Sequence, residues 1–130
     1  MKTLEEVRNI FEADRFAMEA GAVVEEIGDH SAVCSLVITD SHRNAIGAVM
    51  GGVYFTLADF AFAVAANWKK MGCVSLHSDI SFLSAAKGKK LIAKAVCVKE
   101  GRTTAYYRVD VADDLGNLTA TVTITGYHVA

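Results

Sequence analysis

The chain has 130 residues, 52% of them hydrophobic and 22% charged, with a mean hydropathy of +0.29, which suits one folded domain and excludes a disordered chain. Thirteen basic against fifteen acidic residues give a formal charge of −2, so no global basic field exists to hold nucleic acid. No stretch approaches the roughly 18 apolar residues of a membrane span, and the acidic opening around Glu5 and Glu6 is unlike a signal peptide.

Leu4, Val7, Ile10 and Phe11 recur at helical spacing between Glu5, Glu6, Arg8 and Glu12, so residues 3–20 read as one amphipathic helix that Gly21 stops. From 22 to 39 the pattern becomes β-branched and alternating, interrupted at Gly28-Asp29, which predicts a hairpin. A polar, glycine-bearing loop from Asp40 to Gly52 then feeds a run from Val53 to Trp68 that is apolar all round apart from Asp59. A helix without a polar face must be wrapped by other structure. Four strand-like runs follow, 74–83, 90–99, 103–112 and 118–129, with short glycine-bearing connections that imply antiparallel neighbours. The expected architecture is a single α+β domain over residues 1–130, a curved antiparallel sheet around a central buried helix.

Chain chemistry concentrates on that helix. Two roles fit Asp59: a buried carboxylate capping backbone or paired with a cation, or a carboxylate that faces a cleft as general base or nucleophile. Gly51-Gly52 stands two helical turns earlier, where free N–H groups and the positive end of the helix dipole favour an oxyanion; a tight turn would require the same glycines. With the Asn44 carboxamide in the feeding loop, these residues offer the donors and base that acyl transfer needs. The four histidines have no metal-ligand spacing and read as surface or interface residues, with His77 on the face of Ser75. No P-loop or dinucleotide fingerprint is present. No cofactor is implied. The odd, scattered Cys34, Cys73 and Cys97 read as buried thiols of a reducing compartment, hence a cytoplasmic protein.

The stretch Asn44-Ala-Ile-Gly47-Ala-Val-Met50-Gly51-Gly52-Val-Tyr-Phe-Thr-Leu57-Ala58-Asp59 resembles the signature of hotdog-fold acyl-CoA thioesterases, in particular the phenylacetate-pathway (PaaI-like) branch. Ser75–Ala86, Gly101-Arg102-Thr103 and Ala120–Thr123 extend the resemblance over nearly the whole chain. It implies an acyl-CoA substrate with a small, medium or aryl acyl group, and a homo-oligomer, a dimer or a homotetramer built as a dimer of dimers, whose site is shared between subunits. It also implies Asp59 as the catalytic carboxylate, the Gly51 N–H with Asn44 holding the thioester oxygen, and Ser75 orienting water. Met50, Gly52, Lys87, Arg102 and Thr103 would contact substrate. Two departures stand out: Met50 where many members carry His, and Ser84 where members often carry Arg. A thioether neither donates a hydrogen bond nor relays a proton. The rival reading is therefore a non-catalytic acyl-CoA or small-ligand binding protein on the same scaffold; a dehydratase is weaker for want of the local His.

Overall fold

The structure, a computed structural model, describes residues 1–129. Helix α1 (Leu4–Phe11) starts on a capping box in which the Glu6 N–H donates to the Thr3 hydroxyl and the Thr3 N–H to the Glu6 carboxylate, satisfying two otherwise unpaired donors. It buries Val7 and Phe11, the latter edge-on to Phe60 at 6.1 Å. The single helix expected over residues 3–20 is in fact broken: Asp14 leaves helical geometry at ψ 76°, and α2 (Arg15–Ala20) sets off separately before Gly21 caps it at φ +102°. The break re-aims the chain so that Ala17 is buried while Phe16 stays 78% exposed. Helical periodicity alone does not register such a change of direction.

The strands are β1 (Ala22–Gly28), β2 (Ser31–Val37), β3 (Cys73–Phe82), β4 (Lys90–Glu100), β5 (Thr104–Asp113) and β6 (Leu118–His128), all antiparallel in the order β1-β2-β4-β5-β6-β3. The first hairpin turns at Asp29-His30, one residue later than Gly28-Asp29, with His30 at φ +50°. The β4–β5 and β5–β6 turns join neighbours as expected. The β3–β4 connection does not: β3 crosses to pair with β6 and β4 pairs with β2. Its glycine, Gly88, serves a packed connection rather than a hairpin turn. Register irregularities in β1, β3, β4 and β6 curl the sheet.

Helix α3 (Gly51–Asn67) lies in that curl. Alternate residues Cys34, Leu36, Leu91, Ala93, Val109, Val111, Val122 and Ile124 point inward and are fully buried, and alanines at 58, 61 and 65 let the helix approach the sheet. The expectation of complete wrapping is met on the sheet side only. Phe55, Thr56, Asp59, Ala63 and Ala66, one stripe of α3, are half-buried. Strand β3 is an open edge exposing Val74, Leu76 and Phe82.

The end of α3 is fastened to β3 by the buried Asn67 carboxamide, whose oxygen accepts the Gly72 and Cys73 N–H at 2.9 and 2.8 Å and whose nitrogen donates to the Ala63 and Cys73 carbonyls at 3.0 and 2.9 Å. Truncating it strands several buried backbone groups. Asn67→Ala is expected to lower stability by about 2–3 kcal/mol, read as a shifted urea midpoint at fixed protein concentration; an unshifted midpoint would show that water replaces all four bonds.

Candidate active site

Asp59 projects from the half-buried stripe of α3 into a cavity of about 480 Å³ between α3 and the α1–α2 segment, lined also by Ala13, Asp14, Phe16, Phe55, Thr56 and Ala63. Among the described residues no side chain or backbone group hydrogen-bonds it and no cation pairs with it, although Arg15 lines the same cavity. The capped or ion-paired reading of Asp59 thus has no partner to support it within the chain. Burial pushes the Asp59 carboxyl above the ordinary range, and the negative charge of Asp14 adds to the effect. A carboxylate whose hold on a proton is strengthened in this way is a stronger base than a surface carboxylate, which is what general-base chemistry asks of it.

Gly51 is the first residue of α3. Met50 is its N-cap and supplies no side-chain hydrogen bond, so the Gly51 and Gly52 amides are left without protein acceptors among the described residues. The reason for glycine at 51 is visible: a Cβ there would stand 3.0 Å from the Phe82 ring. At 52 the Met50 methyl occupies the space, 2.9 Å from such a Cβ. Gly51 opens on a second cavity of about 310 Å³ with Val49, Tyr54, Phe82, Leu83, Ser84 and Ala85. Eight residues of helix separate it from Asp59, about 12 Å along the axis. Within one chain the amide and the carboxylate therefore serve different cavities.

Asn44 builds the loop before α3. Its carboxamide oxygen accepts the Ile46 and Ala48 N–H, both at 3.1 Å, and its own N–H donates to the Ala48 carbonyl at 2.8 Å, across a turn in which Gly47 adopts φ +86°. The side chain is exposed and its amide nitrogen is the part left to donate outward. His42, expected from sequence at the surface or an interface, anchors this loop. It is buried: Nε2 donates to the Ala20 carbonyl at 2.6 Å, Nδ1 accepts the Thr39 N–H at 2.9 Å, and its carbonyl accepts the Met50 N–H. The sequence signal was only its place two residues before Asn44.

The remaining candidates disperse. Ser75 is exposed on the β3 edge, away from the Asp59 cavity, and the bulge between Ser75 and His77 breaks the alternation that put the two on one face. His77 is exposed beside Asp79. Lys87 sits in the β3–β4 connection, its N–H donated to Asp113. Arg102 and Thr103 lie at the far end of β4, roughly 30 Å away by strand length, where Arg102 lines a third cavity of about 300 Å³ with His30, Lys69, Glu100 and His128. There Glu100 takes His30 at 3.2 Å and His128 at 2.5 Å, so these histidines are mutually tied rather than free surface groups. No three His, Cys, Asp or Glu side chains among the described residues gather as a metal site. All three cysteines are free, and burial pushes the Cys34 thiol up to about 12.

A six-stranded curved antiparallel sheet around a long helix is the hotdog fold, and the comparisons agree. Residues 46–120, more than half the chain, match the model of the thioesterase superfamily. The chain belongs to that family, and its chemical class is thioester hydrolysis. A protein of Archaeoglobus fulgidus is 31% identical over 92% of this chain and 79% of its own length. The acyl-coenzyme A thioesterase PaaI of Escherichia coli is 27% identical over 86% of this chain and 81% of its own; its solved structure superposes with a TM-score of 0.89, covering 94% of this chain and 89% of that one at 24% identity. A hypothetical thioesterase of Streptococcus pneumoniae, solved with coenzyme A, is 28% identical with a TM-score of 0.83, over 91% of this chain and 95% of that one. No helix of the described residues is long and apolar enough to cross a membrane.

The upward shift of the Asp59 carboxyl makes a signed prediction. Because the folded state holds this proton more tightly than the unfolded chain, ionising Asp59 lowers stability as pH rises from the ordinary carboxylate range through the raised value. Asp59→Asn, which mimics the protonated acid, is expected to melt higher than wild type at pH 7–8, the difference vanishing in acid. A melting difference independent of pH would contradict the assignment.

Proposed function

We propose that this chain is an acyl-CoA thioesterase of the PaaI-like branch, active as a homo-oligomer, with Asp59 as the catalytic carboxylate. The observation that carries the reading is the unpaired Asp59 carboxylate opening into an apolar cavity. Asp59 takes a proton from water as it attacks the thioester carbon. The negative charge that develops on the carbonyl oxygen is met by the Gly51 N–H and the Asn44 amide. The C–S bond then breaks and the thiolate takes up the proton. Direct attack by Asp59, with hydrolysis of the resulting anhydride, uses the same groups.

Since Gly51 and Asp59 of one chain face different cavities, the reading requires that the site be completed across a subunit boundary. Two features support this: the open β3 edge with its exposed Val74, Leu76 and Phe82, and the half-covered stripe of α3 beside Asp59. Exposed Val96, Val98 and Tyr106 on the outer sheet face suit a further contact, hence a dimer of dimers. Apolar Phe16, Phe55 and Ala63 beside Asp59 suit a small, medium or aryl acyl group. Ser75 would reach the reaction only from the shared edge. Lys87 lies on the Gly51 side, so it and Met50 and Gly52 are the substrate contacts closest to that amide, whereas Arg102 and Thr103 would act from the other end of β4. Three free thiols suit a cytoplasmic setting.

A panel of short, medium and aryl acyl-CoAs, followed by thiol release, tests the reading. Wild type is expected to turn over at least one of them, and Asp59→Asn to lose about 100-fold or more in kcat; equal rates would remove Asp59 from the chemistry. Ligand-dependent stabilisation without turnover would move the protein to the non-catalytic reading, and activity gained by Met50→His would mark Met50 as the cause. Mixed oligomers of Asp59→Asn and Gly51→Val, each inactive alone, should recover roughly a quarter of the wild-type rate, because one composite site per mixed pair is intact; no recovery would place both groups in the same chain's site.

A further inference from the structure

Tyr54 is an odd residue for its position. It lies one turn into α3 beside Gly51, buried on the sheet side, where Leu57, Ala58 and Ala61 are purely apolar. A phenol buried there carries a hydroxyl that must be satisfied. It is: the Tyr54 hydroxyl accepts the Ala86 N–H at 3.0 Å. The Tyr54 ring meets Phe82 edge-on at 6.2 Å, and Phe82 is the ring that covers Gly51.

Apart from the Ile38 N–H, which donates to the Lys89 carbonyl at 2.8 Å, the β3–β4 connection to which Ala86 belongs is otherwise held from the β5–β6 side. Its Leu83 and Ser84 N–H donate to the Thr119 carbonyl at 2.8 and 3.3 Å, and the Ser84 hydroxyl to the Leu118 carbonyl at 2.8 Å. The Lys87 and Gly88 N–H donate to the Asp113 carboxylate at 2.8 and 3.1 Å, and the Lys89 and Lys90 N–H to Asp114 at 2.8 and 3.3 Å. Among the described residues the Tyr54 hydroxyl makes the one hydrogen bond between this connection and α3. The connection carries Lys87 and Lys89, both exposed and neither in an ion pair among the described residues, while Lys90 is engaged by Glu25 at 3.2 Å.

We propose that Tyr54 is a positioning residue: its hydroxyl fixes the spacing between the Gly51 amide and the Lys87–Lys89 cations, and so selects thioesters long enough to carry phosphates to those lysines. The inference rests on the acyl-CoA reading of the Gly51 end. It is a matter of spacing rather than of fold stability, because Asp113, Asp114 and Thr119 keep the connection ordered without Tyr54. Tyr54→Phe removes only the hydroxyl.

The experiment compares wild type and Tyr54→Phe on two thioesters of one acyl group, the CoA ester and the N-acetylcysteamine ester, which lacks phosphates. The expected result is a KM for the CoA ester raised about fivefold, the size of one lost hydrogen bond, with kcat held within about twofold and both constants unchanged for the short ester. Ala86→Pro deletes the same bond from the other end and should show the same split. An unchanged KM for the CoA ester, or equal losses on both esters, overturns the proposal while the thioesterase reading stands. If wild type hydrolyses neither ester, the thioesterase reading fails on its own; calorimetric titration of the two proteins with coenzyme A then decides, with weaker binding by Tyr54→Phe supporting the spacing role and equal or absent binding overturning it.

Discussion

The structure depends on tolerating a carboxylate without a partner in the middle of an apolar helix. Moving a charged group out of water costs several kcal/mol unless it is paired or takes up a proton, and no counter-ion answers that cost here: among the described residues no cation pairs with Asp59, and burial, with Asp14 across the cavity, pushes its carboxyl above the ordinary range. What offsets the cost is the packing of α3. Leu57, Phe62 and Val64 fill the concave side of the sheet, Phe60 packs against Phe11 of α1, and the intervening alanines bring helix and sheet backbones close. Burial on that side leaves the opposite stripe free to be lined by function.

The helix also acts as a ruler. Its first turn presents unsatisfied amides, its third presents the carboxylate, and its end is fastened by Asn67. A rigid rod of this kind cannot bend to bring Gly51 and Asp59 together, so the separation of roughly 12 Å is a fixed feature. In the proposed oligomer, a two-fold relation between antiparallel copies of the same helix would convert that separation into complementarity, placing the start of one against the middle of the other. The half-buried stripe and the open β3 edge lie where such a relation would cover them.

Much of this was legible in the residue pattern, because it follows from local periodicity. The strands were placed within a residue or two, and the central helix was evident from a run of sixteen residues interrupted by one charge. What escaped was set by tertiary geometry. The break at Asp14 preserves the spacing of Val7 and Phe11 and is invisible to a helical stripe. The β3–β4 connection looks like a hairpin loop because Ala85–Lys89 is short and polar, yet its amides are consumed by Asp113 and Asp114 from another turn. Asp113 itself, buried and held well below the usual carboxylate range chiefly by the Asn117 amide and the Lys87 N–H, read as turn chemistry. His42 read as a loop residue because nothing in its neighbours tells of Ala20. The candidate site followed the same division: Asp59 and Gly51 draw notice because their helix is conspicuous and Asn44 because its loop feeds that helix, whereas the wide spacing of Lys87 from Arg102 needed the length of β4.

The start of α3 shows how local disadvantage marks the site. Serine or aspartate at the N-cap would stabilise the helix by about 1 kcal/mol and would spend its oxygen on the first-turn amides. Two glycines in that turn cost roughly another 1 kcal/mol each against alanine. Here the Met50 side chain caps nothing, both glycines are present, and the local compensation among the described residues is the Val53 N–H donated to the Met50 carbonyl. Each choice lowers helix stability, and each keeps an amide unobstructed and unpaired. Together with the unpaired acid two turns later, they form a run of locally unfavourable residues on an otherwise well-packed element, the pattern that the proposed thioesterase site would require.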